Sequence, residues 1–300
     1  MIRLGLCCKF LDQPIRFRTA TATALLRLRR RDRIRKVSAL CLANADALRA
    51  ALTYCAEHRI GAFRVSSEIL PVKTHPRAGY EIADLPDGDE IVRRFRQCGR
   101  FAGQHGIRTL FHPDQYILLS SSDPGITQRS VADIEYHAEV AEWIGADVIN
   151  IHGGGAYGDK ESALARVADN LERLSRRARK RITLENDDRT YTPSDLLPLC
   201  RRTRVPFVYD VHHHRCLGDG LSVEEATKRA VETWNREPVF HISRPKQGWR
   251  GPQPARHHDY VAPRDFPKCW LGLDVTVEVE AKAKEKAVLR LAQIGVKPQS

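Results

Sequence analysis

Apolar residues in this chain come in short runs that end on a polar group with ligand capacity, separated by longer stretches whose apolar positions recur every three or four residues. Ile2-Arg3-Leu4-Gly5-Leu6 is the first run and Gly61-Ala62-Phe63-Arg64-Val65 the second. Arg108 to Phe111 then ends on His112, Asp147 to Ile151 on His152, Ile182 to Leu184 on Glu185, and Phe207 to Tyr209 on Asp210. Val239-Phe240 ends on His241 and Trp270 to Val279 on Glu280. Runs of this kind predict buried strands. The stretches between them predict helices: a basic one from Leu25, then Asn44 to His58, Asp89 to His105 and Asp133 to Ile144. Lys160 to Arg179, Thr192 to Arg202, Ser222 to Trp234 and a Lys- and Ala-rich final helix continue the series. Thr192-Pro193-Ser194-Asp195 reads as a capping sequence, and the residues from Cys7 to Ala24 read as a long loop.

Eight strands alternating with helices, with no break in composition, predict a single α/β domain over residues 1–300. Two doubly wound halves would alternate in the same way. The recurrence of a ligand-capable residue at nearly every strand end favours a (β/α)8 TIM barrel, whose carboxyl-end rim collects all the strand termini around one axis.

A hydrophobic content of 42% excludes a disordered chain. No window approaches eighteen uninterrupted apolar residues, and Met1 to Gly5 lacks the apolar region of a secretory signal, so a cytoplasmic protein with no membrane partner is expected. The sequence does not show the oligomeric state, and a monomer is the default expectation. The eight cysteines lack metal-ribbon or disulfide spacing and read as reduced core residues. Lys and Arg total 49 against 37 Asp and Glu, a net +12 dominated by Arg. Guanidinium forks suit phosphates, so a polyanion such as nucleic acid is a candidate partner. A genome rich in Arg codons would give the same balance, and the run from Arg27 to Lys36 is equally a solvated helix face.

The candidate chemistry lies at the strand ends. His75, His112, His152, Glu185, Asp210, His213, His241, His257 and Glu280 form the rim inventory, with Asp114 and Asp259 nearby. A lone histidine at a strand end is more often structural than a ligand, but this many aligned with carboxylates point to two or three divalent ions, Mn, Zn or Fe. Of His212, His213 and His214, the Asp-x-x-His spacing from Asp210 selects His213. Hydrolysis of a phosphate ester is the chemistry such a cluster usually serves. Neither a nucleophile elbow nor a Walker loop is present, and Gly153-Gly154-Gly155 reads as a place where backbone approaches a ligand or takes unusual angles.

His112-Pro113-Asp114-Gln115-Tyr116, Asn150-Ile151-His152-Gly153-Gly154-Gly155, Leu184-Glu185-Asn186-Asp187, Asp210-Val211-His212-His213 and Glu280-Ala281-Lys282-Ala283-Lys284-Glu285 together resemble the UV damage endonucleases, relatives in fold of endonuclease IV. The resemblance spans nearly the whole chain. It implies a TIM barrel with up to three divalent ions, typically manganese, and incision of damaged double-stranded DNA immediately 5′ of pyrimidine dimers and some other lesions. It implies that His112, His152 and Glu185 hold one ion, that Glu185, Asp210, His241 and Glu280 hold a second, and that His213 and His257 hold a third, with Asp259 a helper. His75 would stand beside the nucleophilic water, completing a catalytic set with Glu185 and His241. Gln115 and Tyr116 match the family's wedge into the duplex. With a DNA substrate, the Arg-rich segments around Arg16, Arg18 and Arg27 to Lys36, and Arg244, Lys246, Arg250 and Arg256, would hold phosphates. Where the family commonly has a tyrosine and an asparagine near the lesion, this chain has Leu6 and Phe10, and Val239 stands where a lysine is frequent. The alternatives are an abasic-site endonuclease or a xylose isomerase-like sugar isomerase of the same barrel type, and a DNA-binding protein without catalysis.

Overall fold

The computed structural model describes residues 1–293, and these form a closed barrel of parallel strands in the order β1 to β8. The strands are β1 (Ile2–Cys7), β2 (Ala62–Val65), β3 (Arg108–Phe111), β4 (Ile149–His152), β5 (Ile182–Glu185), β6 (Phe207–Asp210), β7 (Val239–Ile242) and β8 (Val275–Val279). Around them lie α1 (Ala22–Leu26), α2 (Arg30–Glu57), α3 (Gly88–Gln104), α4 (Pro124–Ile144), α5 (Lys160–Leu171), α6 (Arg176–Arg179), α7 (Pro193–Thr203), α8 (Val211–Cys216), α9 (Val223–Val231) and α10 (Glu285–Gln293). This is the TIM barrel that the strand pattern predicts. No helix of the described residues is long and apolar enough to cross a membrane.

Several boundaries differ from the sequence expectation, each for a local reason. The basic stretch and the helix expected from Asn44 are one helix, α2, because no glycine or proline interrupts Arg30 to Glu57. Helix α4 starts at Pro124 instead of Asp133, since Asp123 caps it by accepting from the Gly125 and Ile126 amides and proline suits the first turn. The single helix expected from Lys160 to Arg179 is divided, because Ser175 starts a new turn by accepting from the Ala178 amide while Glu135 holds its hydroxyl and amide. Helix α7 carries the expected capping box between Thr192 and Asp195.

Alternation within the strands arranges the barrel interior in layers. At the amino end, Arg3 pairs with Glu237 at 2.9 Å, and Arg108 bonds Asp147 at 2.8 Å and Thr276 at 3.0 Å. Above this lies an apolar layer of Leu110, Val148, Val208 and Val239. Above that again, at the carboxyl ends, come the polar strand termini. The larger apolar core lies between strands and helices and includes Leu6, Phe63, Phe95 and Trp270, all fully buried.

His137 on α4 belongs to this outer core. It is 3% exposed and packs edge-on to Phe111, its Nδ1 lies 2.6 Å from the Asp133 carbonyl, and its Nε2 has no partner. Burial pushes its pKa down to about 4. A buried neutral histidine must gain a proton on unfolding in acid, so this group leaves stability untouched above its ordinary value near 6.5 and removes stability as pH falls from there toward 4. The His137→Leu variant should therefore lose less stability than the parent between pH 6.5 and 4, by up to about 3 kcal/mol, in urea titrations at each pH.

Candidate metal centre and cleft

Glu185 ends β5 at the middle of the polar layer and is fully buried. The His112 Nε2 atom lies 2.9 Å from its Oε2 and the His241 Nδ1 atom 3.0 Å from its Oε1, with His213 Nδ1 at 3.6 Å. Asn150, one strand away on β4, donates its amide to Oε2 and is itself oriented by the Thr183 hydroxyl at 2.9 Å. Burial alone would raise this carboxyl, but His241, His152 and His112 hold it well below the usual range, so it is an anion.

The neighbours are positioned by backbone logic as much as by strand ends. Asp210 ends β6 and caps α8, its Oδ1 accepting from the His213 amide at 2.8 Å, so the helix begins with His213 turned back over the barrel. Asn186 locks this corner: its amide donates to the Asp210 carbonyl at 2.9 Å and its carbonyl accepts from the Asp210 amide at 3.0 Å. Burial disfavours charge on His213, yet Asp210, Glu185 and Glu280 raise it to about 9. His152 behaves oppositely, burial lowering it to about 4, so it is neutral with a lone pair to offer. Its Nδ1 and Oδ2 of Asp210 are both buried with no hydrogen-bond partner. Orphaned polar atoms on either side of an ionised carboxylate are what cations would satisfy.

Three sets of ligand atoms each lie within 4.8 Å of one another: His112, His152 and Glu185; His112, His241 and Glu280; and Glu185, Asp210 and His213. His257 approaches the rim of the group, 3.8 Å from Glu280, but its ring centre is 6.5 Å from that of His213, which keeps company with Asp210 and Glu185 instead. His212 packs between Trp249 and His257, and His214 bonds Asp219 at 2.8 Å, so neither joins the cluster. The centre opens into a cleft of about 800 Å³ whose walls include Gln115, Asp187, Arg189, Arg256 and Cys8.

Other expectations need correction. His75 is not in this cleft; it lines a separate cavity with Lys73, Tyr80 and Glu139, and its Nδ1 accepts from the Arg77 and Ala78 amides. Leu6 and Phe10 do not face the cleft. Strand alternation turns Leu6 outward into the core, Phe10 stacks on Phe63, and Cys8, with a left-handed φ of 40°, is the residue of that segment at the cleft wall. The Arg16 guanidinium bonds the carbonyls of Phe10, Gln13 and Ile15 in its own loop, and Arg244 lies 3.5 Å from Asp265. Arg18 and Lys246 are exposed and do not line the cleft, whose wall carries Arg64, Arg189 and the expected Arg256. Gly153 and Gly154 are required by protein contacts, since a Cβ on the first would come 2.7 Å from Tyr191 and on the second would strike Ser120. Tyr116 is 61% exposed beside the cleft.

The strand-end pattern misses two charged residues. Arg64 on β2 and Glu278 on β8 sit beneath the cluster, Glu278 fully buried, and the guanidinium lies 2.6 Å from both Glu278 and Glu280. A signal for them is present, as both are charges inside otherwise apolar strands at inward-facing register, but neither ends its strand.

The profile of the family described as UV-endonuclease UvdE matches residues 2–298. The chain belongs to this family. Among UvdE relatives, a UV DNA damage endonuclease of Bacillus pumilus is 36% identical over 251 residues, covering 81% of this chain and 77% of the relative. The crystal structure of SacUVDE superposes with a TM-score of 0.85 at 25% identity, covering 98% of each chain. Endonuclease IV from Thermus thermophilus shares the fold at a TM-score of 0.60 and 19% identity, covering 82% of this chain and 92% of the other.

The Asn186 lock is the part of this architecture most open to a stability test. Asn186→Ala leaves the buried Asp210 amide unpaired and should cost about 1–3 kcal/mol in urea denaturation, where a cost under about 0.5 kcal/mol would show that other groups hold the corner.

Proposed function

We propose that this chain is a divalent-metal-dependent DNA repair endonuclease that cuts the backbone immediately 5′ of UV photoproducts. The observation that supports it most is the buried Glu185 cluster, with its unpartnered His152 and Asp210 atoms, at the floor of an open cleft in a UvdE family member. His112, His152 and Glu185 would hold one ion, Glu185, Asp210, His241 and Glu280 would share a second, and His213 and His257 would hold a third. Neutral imidazoles and carboxylates without a thiolate suit manganese, with zinc or iron also compatible. When bound, such ions polarise the phosphate and activate water for its hydrolysis.

The chain's own groups supply position and charge. Glu185 stays ionised, and Asn150 fixes which way its plane faces. Arg189 and Arg256 on the cleft walls meet the approaching phosphates. Gln115 and Tyr116, three and four residues beyond His112 and exposed, fill the space left when damaged bases leave the stack. His75 lies outside the cleft, and no part in the chemistry is proposed for it.

With Mn²⁺ the purified protein should nick a duplex oligonucleotide on the 5′ side of a defined dimer, and mapping on dimer, other photoproduct and abasic substrates separates this reading from its alternative. Cutting at abasic sites alone would replace it with an abasic-site endonuclease. Glu185→Gln should lower the rate at least about a hundredfold. The Gln115→Ala, Tyr116→Ala double variant should keep its metal content yet lose roughly tenfold or more of its preference for damaged over intact duplex in competition binding. Affinity of the parent for DNA should fall linearly on a log scale with added salt.

A further inference from the structure

Strand β8 turns Thr276, Glu278 and Glu280 inward, and its register with β7 sets Glu278 opposite His241. Glu280 reaches the cluster, but Glu278 stops one layer short of the cleft and does not appear on its wall. Its Oε2 is nonetheless fully engaged: it lies 2.7 Å from His241 Nε2, and accepts from Arg64 Nε at 2.9 Å and Nη2 at 2.6 Å. Imidazole has two nitrogens, and the one that donates a proton decides which one keeps a lone pair. On β7 the inward residue below His241 is the aliphatic Val239, so the acceptor under the ring comes from β8. Arg64 Nη2 lies 3.2 Å from the same ring nitrogen, but the carboxylate contact at 2.7 Å is the shorter.

We propose that Glu278, held by Arg64, is the positioning residue that keeps the proton of His241 on Nε2 and aims its Nδ1 lone pair at the metal centre. The ring is then pinned from below by a carboxylate and faces Glu185 at 3.0 Å and Glu280 at 3.5 Å through the nitrogen that binds the cation. Arg64 serves both Glu278 on β8 and Glu280 just past its end, lying 2.6 Å from each, so the ligand Glu280 and the positioning residue Glu278 are oriented by one guanidinium. Carboxylates behind ligating imidazoles raise ligand basicity and fix ring orientation. The assignment rests on reading the cluster as a metal centre.

The test is titration of chelator-treated protein with Mn²⁺ by calorimetry, for the parent, Glu278→Gln and Glu237→Gln. The last removes a carboxylate from the opposite end of the barrel. Glu278→Gln should bind the same number of ions with the affinity of one site weakened about tenfold or more, while Glu237→Gln matches the parent. Unchanged affinity in a folded Glu278→Gln protein overturns the proposal and leaves the metal reading intact. Loss of a whole equivalent of metal overturns it too, because Glu278 would then be a ligand. A parent protein that takes up no Mn²⁺ sinks the metal reading and this proposal with it. Should Glu278→Gln fail to fold, the parent decides: with ¹⁵N-labelled histidine and Zn²⁺ as the diamagnetic probe, His241 should carry its proton on Nε2, and a proton on Nδ1 in the loaded protein overturns the assignment.

Discussion

The structure depends on burying acidic groups side by side. Glu185, Glu278 and Glu280 converge inside one barrel mouth, and carboxylates removed from water repel one another strongly unless positive charge is brought in with them. One guanidinium, Arg64, and the imidazoles of His213 and His241 are the compensation the chain itself provides. The compensation is incomplete in the protein alone, as the unpartnered atoms of His152 and Asp210 record. The strand ends thus bury polar atoms for which the chain itself supplies no partner.

Much of this was legible in the sequence because barrel geometry converts order along the chain into position around a ring. Each strand that stops on a histidine or carboxylate delivers that residue to the same face, so His112, His152, Glu185, Asp210, His241 and Glu280 are drawn together by periodicity alone. His213 was also readable, since Asp210 caps the helix that carries it and the capping geometry fixes the third residue on.

What could not be read depends on loops and on facing. His75 follows a strand, yet its loop turns into another cavity, and no local pattern separates that outcome from a return to the rim. Leu6 and Cys8 differ by two positions and a left-handed backbone step, which suffices to exchange core for cleft. Arg16 and Arg244 bear charge that composition counts as available, but their guanidinium groups already have partners within the protein. Arg64 and Glu278 escape notice because a charge inside a strand reads as an exception until the layer it occupies is known.

The apolar layer of Leu110, Val148, Val208 and Val239 has a consequence for how the molecule can change over time. It lies between two charged networks, the arginine and glutamate pairs at the amino end and the histidine and carboxylate group at the carboxyl end. Four aliphatic side chains offer neither network a hydrogen bond or a charge through which to sense the other. Substitutions above and below this disc should combine with little interaction. The floor of the barrel can therefore be made more or less stable by substitution without disturbing the arrangement of groups at the mouth.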